Sequence, residues 1–131
     1  MGDLDDEIRF VLEADRLKSV LRQSPITDRS RRENSAEHSW HLALMSLALA
    51  EHAPAGTDLA KVMRMVLVHD LVEIDAGDLF VYADAAAQAR QAEAERAAAD
   101  RIFSILPAPT ATVLRALWEE FEQRQTREAK F

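Results

Sequence analysis

Hydrophobic residues recur along this chain with the period of helices, and no sheet-like alternation runs beyond a few positions. Asp3 is the cap of a first helix predicted to reach about Leu21, with Ile8, Val11, Leu12, Val20 and Leu21 facing inward. Ser24-Pro25 to Ser30 is loop by composition. Asn34, with Glu37 three residues on, has the signature of a capping box and starts a second helix to about His52, which Pro54-Ala55-Gly56 ends. A third begins at a Thr57 or Asp58 cap, runs through Val72–Asp75 and closes at Gly77. Asp84 opens an alanine-rich fourth helix that stops before Pro107. Pro109-Thr110 opens a fifth, striped by Leu114, Leu117, Trp118 and Phe121, and Thr126 starts a sixth. The pattern predicts a single all-α domain over residues 1–131, a bundle of about five to six helices, with Trp40 and Trp118 as core or interface anchors.

The third helix carries an anomaly. Leu59, Val62, Met63 and Val66 mark its buried stripe, and the next stripe positions are His69, Asp70 and Glu73. Leu67, Val68, Leu71 and Val72 keep the other side apolar, which describes a central helix. Carboxylates are rarely buried unless they are paired or bind a metal, so something must compensate these. On the second helix His38, His41, Leu42, Met45, Leu49 and His52 share a face, with His38 in the first turn. Imidazoles and carboxylates from neighbouring helices are how bundles build metal sites in their cores. Mixed nitrogen and oxygen donors suit Mn, Fe, Co, Ni or Zn better than Ca. The competing reading of any one histidine is a hydrogen-bonded core residue, and it is favoured for His41 and His52. The cluster Arg29, Arg31, Arg32 reads by default as a solvated loop.

Composition narrows the class. The 131 residues are 48% hydrophobic and 30% charged, as in an ordinary globular protein. A net charge of -7 argues against general DNA or RNA binding, though one phosphate in a local basic pocket remains open. The absence of cysteine excludes disulfides and thiolate metal sites and fits a reducing, cytoplasmic compartment. The acidic, amphipathic N-terminus is unlike a secretory signal or transit peptide. The apolar stretch Leu42–Ala50 is too short to span a bilayer.

The stretch Arg31-Arg32-Glu33-Asn34-Ser35-Ala36-Glu37-His38-Ser39-Trp40-His41, followed by His69-Asp70-Leu71-Val72-Glu73-Ile74-Asp75-Ala76-Gly77-Asp78, resembles the HD-domain phosphohydrolases. Within them it is most similar to the 5′-deoxynucleotidase-like branch. The likeness runs from about Leu17 to Phe131 and includes Leu117-Trp118-Glu119-Glu120-Phe121-Glu122 and Thr126-Arg127-Glu128-Ala129. It implies an HD-domain helical bundle in which His38, His69 and Asp70 hold a divalent ion (Mn, Co, Fe, Ni, Zn or Mg), with Glu73 catalytic. It also implies that Asp78 contacts the sugar and that Arg22 and Arg32 (or Arg31) bind substrate. Gln23 stands where some deoxynucleotidases carry a tryptophan. The family's fourth ligand, an aspartate, is expected a few residues beyond Phe131, and no aspartate follows Asp100, so either the bundle is truncated at its C-terminus or the site is completed another way.

The implied chemistry is removal of the 5′-phosphate from a nucleoside monophosphate by metal-activated water, with arginines as bidentate donors to the phosphate oxygens. The family habit of pairing, the amphipathic first helix and a Trp118 face together suggest a homodimer. Two alternatives accompany this reading. One is another HD-type hydrolysis, of a phosphodiester or a nucleoside triphosphate; the other is a non-catalytic helical module that binds a nucleotide or a partner.

Overall fold

The computed structural model describes residues 2–77 and 84–131, and the chain is helical over most of that length. Helix α1 (Asp3–Ala14) tightens into a 3-10 turn, Asp15–Ser19, and the chain then extends from Val20. The segment predicted as helix end and loop is a two-stranded antiparallel ribbon, β1 (Leu21–Pro25) with β2 (Arg32–Asn34). Pro25 biases the residue before it toward extended backbone, which ends any continuation of the helix. At the tip, Asp28 Oδ1 accepts the Ser30 N–H at 2.9 Å, and Arg29 takes a left-handed φ of 64°.

The remaining helices follow their caps. Helix α2 (Ser35–Ala48) starts at the predicted capping box and ends in a short 3-10 turn, Ala50–His52. Asp58 caps α3 (Leu59–His69), Asp84 caps α5 (Ala85–Phe103), and Thr126 caps α7 (Arg127–Lys130). Each such cap satisfies an orphan amide and contributes on the order of 1 kcal/mol. Between α3 and α5 lies the single turn α4 (Glu73–Ala76), closed by Gly77 at φ 73°, where glycine avoids the Cβ clash. Helix α6 (Ala108–Gln123) has Pro107 at its N-cap, slightly earlier than predicted.

Helix α3 is central and packs against α2, α6 and α7, while α5 packs against α4 and α6. The core is built from Met65, Val68, Val72, Ile102, Phe103 and Trp118, with Ala98 and Ala99 letting the helices approach closely. Leu67, expected inside, is exposed.

Two packing expectations are corrected. Helix α1 buries no residue, and Ile8, Val11, Leu12 and Leu21 are exposed instead of facing inward. Only Phe10 and Ala14 of α1, and Val20 beyond it, pack against the core; the opposite apolar stripe points outward. Trp118 offers no exposed face, since it is 5% exposed and packs on Phe103 with ring centroids 6.5 Å apart. Trp40 is the exposed tryptophan, at 62%.

Candidate metal centre

The site begins with the start of α2. Asn34 Oδ1 accepts the Glu37 N–H at 2.9 Å, and Glu37 Oε1 accepts the Asn34 N–H at 2.8 Å, a reciprocal capping box. The Ser35 amide donates to the Val20 carbonyl at 2.8 Å, which ties the helix start to the chain leaving the 3-10 turn. This register sets Ser35 fully buried and places His38 in the first turn, half-buried against α3.

The other half comes from the end of α3. The helix stops at His69, and Asp70 takes φ −96°, ψ 0°, outside helical values. Adjacent residues of a continuous helix diverge by about 100°. The break at Asp70 brings the two side chains together, with Asp70 Oδ2 3.1 Å from His69 Nε2. Turn bonds from Leu71 N–H to Val68 carbonyl and from Glu73 N–H to Asp70 carbonyl carry the chain into α4.

One donor atom each of His38, His69 and Asp70 lies within 4.8 Å of the others, so the three residues predicted as ligands converge. His69 Nδ1 sits 2.5 Å from the Val66 carbonyl, which commits Nδ1–H to the backbone and leaves Nε2 for the cluster. The donor set fits a divalent cation of borderline softness: two imidazoles and a carboxylate, on rigid supports, with one ring oriented by a carbonyl.

Charges tune one another here. Burial pulls the His69 pKa down, but the hydrogen bond and charge of Asp70, with the Val66 carbonyl, outweigh it and leave it raised. Burial pushes Asp70 up, yet the hydrogen bond and charge of His69, helped by a hydrogen bond with Glu73, hold it below the usual carboxylate value. Burial lowers the His38 pKa, and the positive charge of Arg22 adds to that effect against Asp70 and Glu33.

Glu73 lies at this centre, accepting the Ser35 hydroxyl at 2.6 Å and hydrogen bonding to Asp70. Arg22 borders His38 and donates to Glu33 Oε1 at 2.7 Å. Arg31 does not reach the cluster; it grips Glu37 in a bidentate pair at 2.5 and 2.9 Å. Arg32 turns its Nε onto the Arg22 carbonyl at 2.6 Å. Asp78 lies outside the described residues. Asp75 faces away, bound to Arg101 at 2.6 and 2.9 Å. His41 and His52 are exposed and stand apart from the cluster.

Three neighbours escaped the sequence reading. Ser35 and Glu33 flank the N-cap, and only their position beside the E-H-S motif hinted at them. Glu122 follows Phe121, whose ring lies 4.5 Å from that of His69. Glu122 has a raised pKa, through desolvation first and the charge of Asp70 last, opposed by Arg124 and His69. Its position four residues after Trp118 on the α6 stripe was the available signal.

The profile of the HD domain family matches residues 14–131, and the chain belongs to that family. It is similar to the 5′-deoxynucleotidase HDDC2 of Xenopus laevis, 34% identical over 99 residues that make up 76% of this chain and 47% of that protein. The human 5′-deoxynucleotidase HDDC2 is 29% identical over 128 residues, 94% of this chain and 61% of that one. The chain thus spans about half of the first of these relatives and somewhat more of the second. In three dimensions it matches the crystal structure of a predicted metal-dependent phosphohydrolase from Magnetospirillum magnetotacticum MS-1. That match has a TM-score of 0.92 and 49% identity, and covers 98% of this chain and 63% of that one.

Proposed function

We propose that this chain carries the metal-dependent centre of a phosphohydrolase that removes the 5′-phosphate from deoxynucleoside monophosphates. The observation that carries the reading is the convergence of His38, His69 and Asp70, with Glu73 hydrogen bonded to Asp70. The similar curated proteins bear the name 5′-deoxynucleotidase, and the similar solved structure that of a metal-dependent phosphohydrolase.

His38, His69 and Asp70 are the residues that would hold the ion, one of Mn, Co, Fe, Ni, Zn or Mg. A divalent cation supplies Lewis acidity toward a phosphoryl oxygen and brings the pKa of water toward neutrality. Glu73 sits where a carboxyl can take a proton from the attacking water or give one to the leaving 5′-oxygen. Ser35 fixes that carboxyl through its hydroxyl. Arg22, beside His38, is the arginine best placed to bind phosphate, and its planar guanidinium suits bidentate contact. Arg31, Arg32 and Asp78 complete the proposed substrate-binding set on the strength of the family resemblance, with Arg31 and Arg32, like Arg22, engaged by neighbouring groups.

Residues 1–131 form one HD domain in this reading, acting in the cytoplasm as a homodimer without nucleic-acid polymer or membrane. No helix of the described residues is long and apolar enough to cross a membrane. The outward stripe Leu4, Ile8, Val11 and Leu12 on α1 offers the apolar surface a second copy would cover.

The test is phosphate release from deoxynucleoside and ribonucleoside monophosphates, nucleoside triphosphates and a phosphodiester, each with Mn, Co, Ni, Zn and Mg. Preference for deoxynucleoside monophosphates is expected. Turnover confined to triphosphates or diesters would place the chain with another HD reaction, and metal and nucleotide binding without turnover would make it a binding module.

A further inference from the structure

The two-stranded ribbon has little apolar content to bury: β1 reads Leu21-Arg22-Gln23-Ser24-Pro25 and β2 reads Arg32-Glu33-Asn34. What it does is carry two charges to the first turn of α2. Arg22 Nη1 donates to Glu33 Oε1 at 2.7 Å, and the same oxygen lies 3.2 Å from His38 Nδ1. Side-chain exposure falls to 25% for Arg22, 13% for Glu33 and 19% for His38, so water screens these contacts only in part. Arg32 pins the strands together through its bond to the Arg22 carbonyl.

A histidine that gives one ring nitrogen to a metal carries its proton on the other. An acceptor there fixes the tautomer, the ring orientation and the basicity of the ligand. The Val66 carbonyl serves His69 in this way. At His38 the Glu33 carboxylate stands 3.2 Å from Nδ1. We infer that Glu33 is a positioning residue for the metal centre. It holds the proton on His38 Nδ1 and leaves Nε2 for the ion, while Arg22 keeps the carboxylate in place. Glu33 also offsets the Arg22 charge, which without it would face the cation across His38 and oppose binding. The inference rests on the reading of His38, His69 and Asp70 as metal ligands.

Two measurements test it. The first is the protonation of the His38 ring nitrogens, from long-range proton–nitrogen spectra of the labelled, metal-free chain at about pH 8, where imidazoles are neutral. The proton is expected on Nδ1 in the wild type, with Nε2-protonated ring gained in Glu33→Gln. The second is Mn2+ affinity by calorimetry, with melting temperature as the control for folding. Glu33→Gln should bind Mn2+ about 10–100-fold more weakly at a melting temperature within a few degrees of wild type. Glu33→Asp should recover part of the loss. A wild-type His38 protonated on Nε2 overturns the inference without any variant, so the conclusion stands even if Glu33→Gln fails to fold. Wild type and Glu33→Gln binding Mn2+ equally overturns the inference alone. A wild type that binds no Mn2+ overturns the metal reading itself, and the inference with it.

Discussion

Ser35 and Glu73, 38 residues apart in sequence, meet in a 2.6 Å hydrogen bond from the serine hydroxyl to Glu73 Oε1. Ser35 is fully buried in the first turn of α2, and Glu73 opens the turn that follows the end of α3. The bond joins α2, which supplies His38, to α4, which follows the end of α3 and its His69. If Glu73 handles protons, Glu73→Gln should keep the fold and the bound metal while turnover falls by about 10²-fold or more. Ser35→Ala should cost about 1 kcal/mol of stability and lower kcat with KM little changed, because only the orientation of Glu73 is lost. Steady-state kinetics beside metal analysis checks both; wild-type turnover in Glu73→Gln would remove it from the mechanism.

Asp70 lies 3.1 Å from His69 Nε2, an arrangement that serves either an ion pair or a shared cation. Asp70→Asn separates the two. As a ligand change it should weaken Mn2+ binding at least as much as the about 10-fold typical of losing a supporting group. Unchanged metal content in the purified variant would leave Asp70 with a structural role only.

Acid should weaken the α2 cap. Hydrogen bonds from Arg31, then from the Asn34 amide, hold the Glu37 pKa down to about 2. A depressed carboxylate adds stability that is fully present above its unfolded pKa of ~4.3 and disappears as pH falls toward the folded value. The melting temperature of wild type should therefore fall between about pH 4.5 and 2 partly through this group. Glu37→Gln, which can still cap, should show a shallower fall over that window. Parallel curves for the two proteins would assign the acid sensitivity elsewhere.

Burial separates two apolar positions that look alike in sequence. Phe103 is 1% exposed, so Phe103→Ala should cost about 3–5 kcal/mol in chemical denaturation. Val11 is 66% exposed, so Val11→Asp should leave the fold of the subunit intact. If α1 mediates self-association, the same change should convert dimer to monomer in sedimentation velocity. A variant that stays dimeric would move the interface away from α1.

Four helix starts were determined by the sequence, because a cap is a local event, whereas Asp3, expected as the cap of α1, lies inside that helix behind Gly2 and caps nothing. Asn34 with Glu37, Asp58, Asp84 and Thr126 each accept the amide their spacing specifies, whatever packs around them. So was the anomaly at His69 and Asp70, since ionisable groups on a buried stripe need a partner in any packing. The ribbon was not legible: it sets Leu21 opposite Asn34 and Pro25 opposite Arg32, which leaves no continuous apolar face to read, and it forms between segments flanking a turn. Nor could periodicity locate the break at Asp70, because Leu71 and Val72 stay buried and continue the apolar pattern past it. Which side of α1 meets the body was likewise set by packing alone, as its helical stripe is the same whether it faces a core, a second copy or water. Convergence of His38 with His69 and Asp70 required α2 to come to rest against α3, and the ribbon packed on α2 sets Glu33 behind His38. Only tertiary contact brings His38 to His69 and Asp70, more than thirty residues away, and no local rule of helix or turn encodes it.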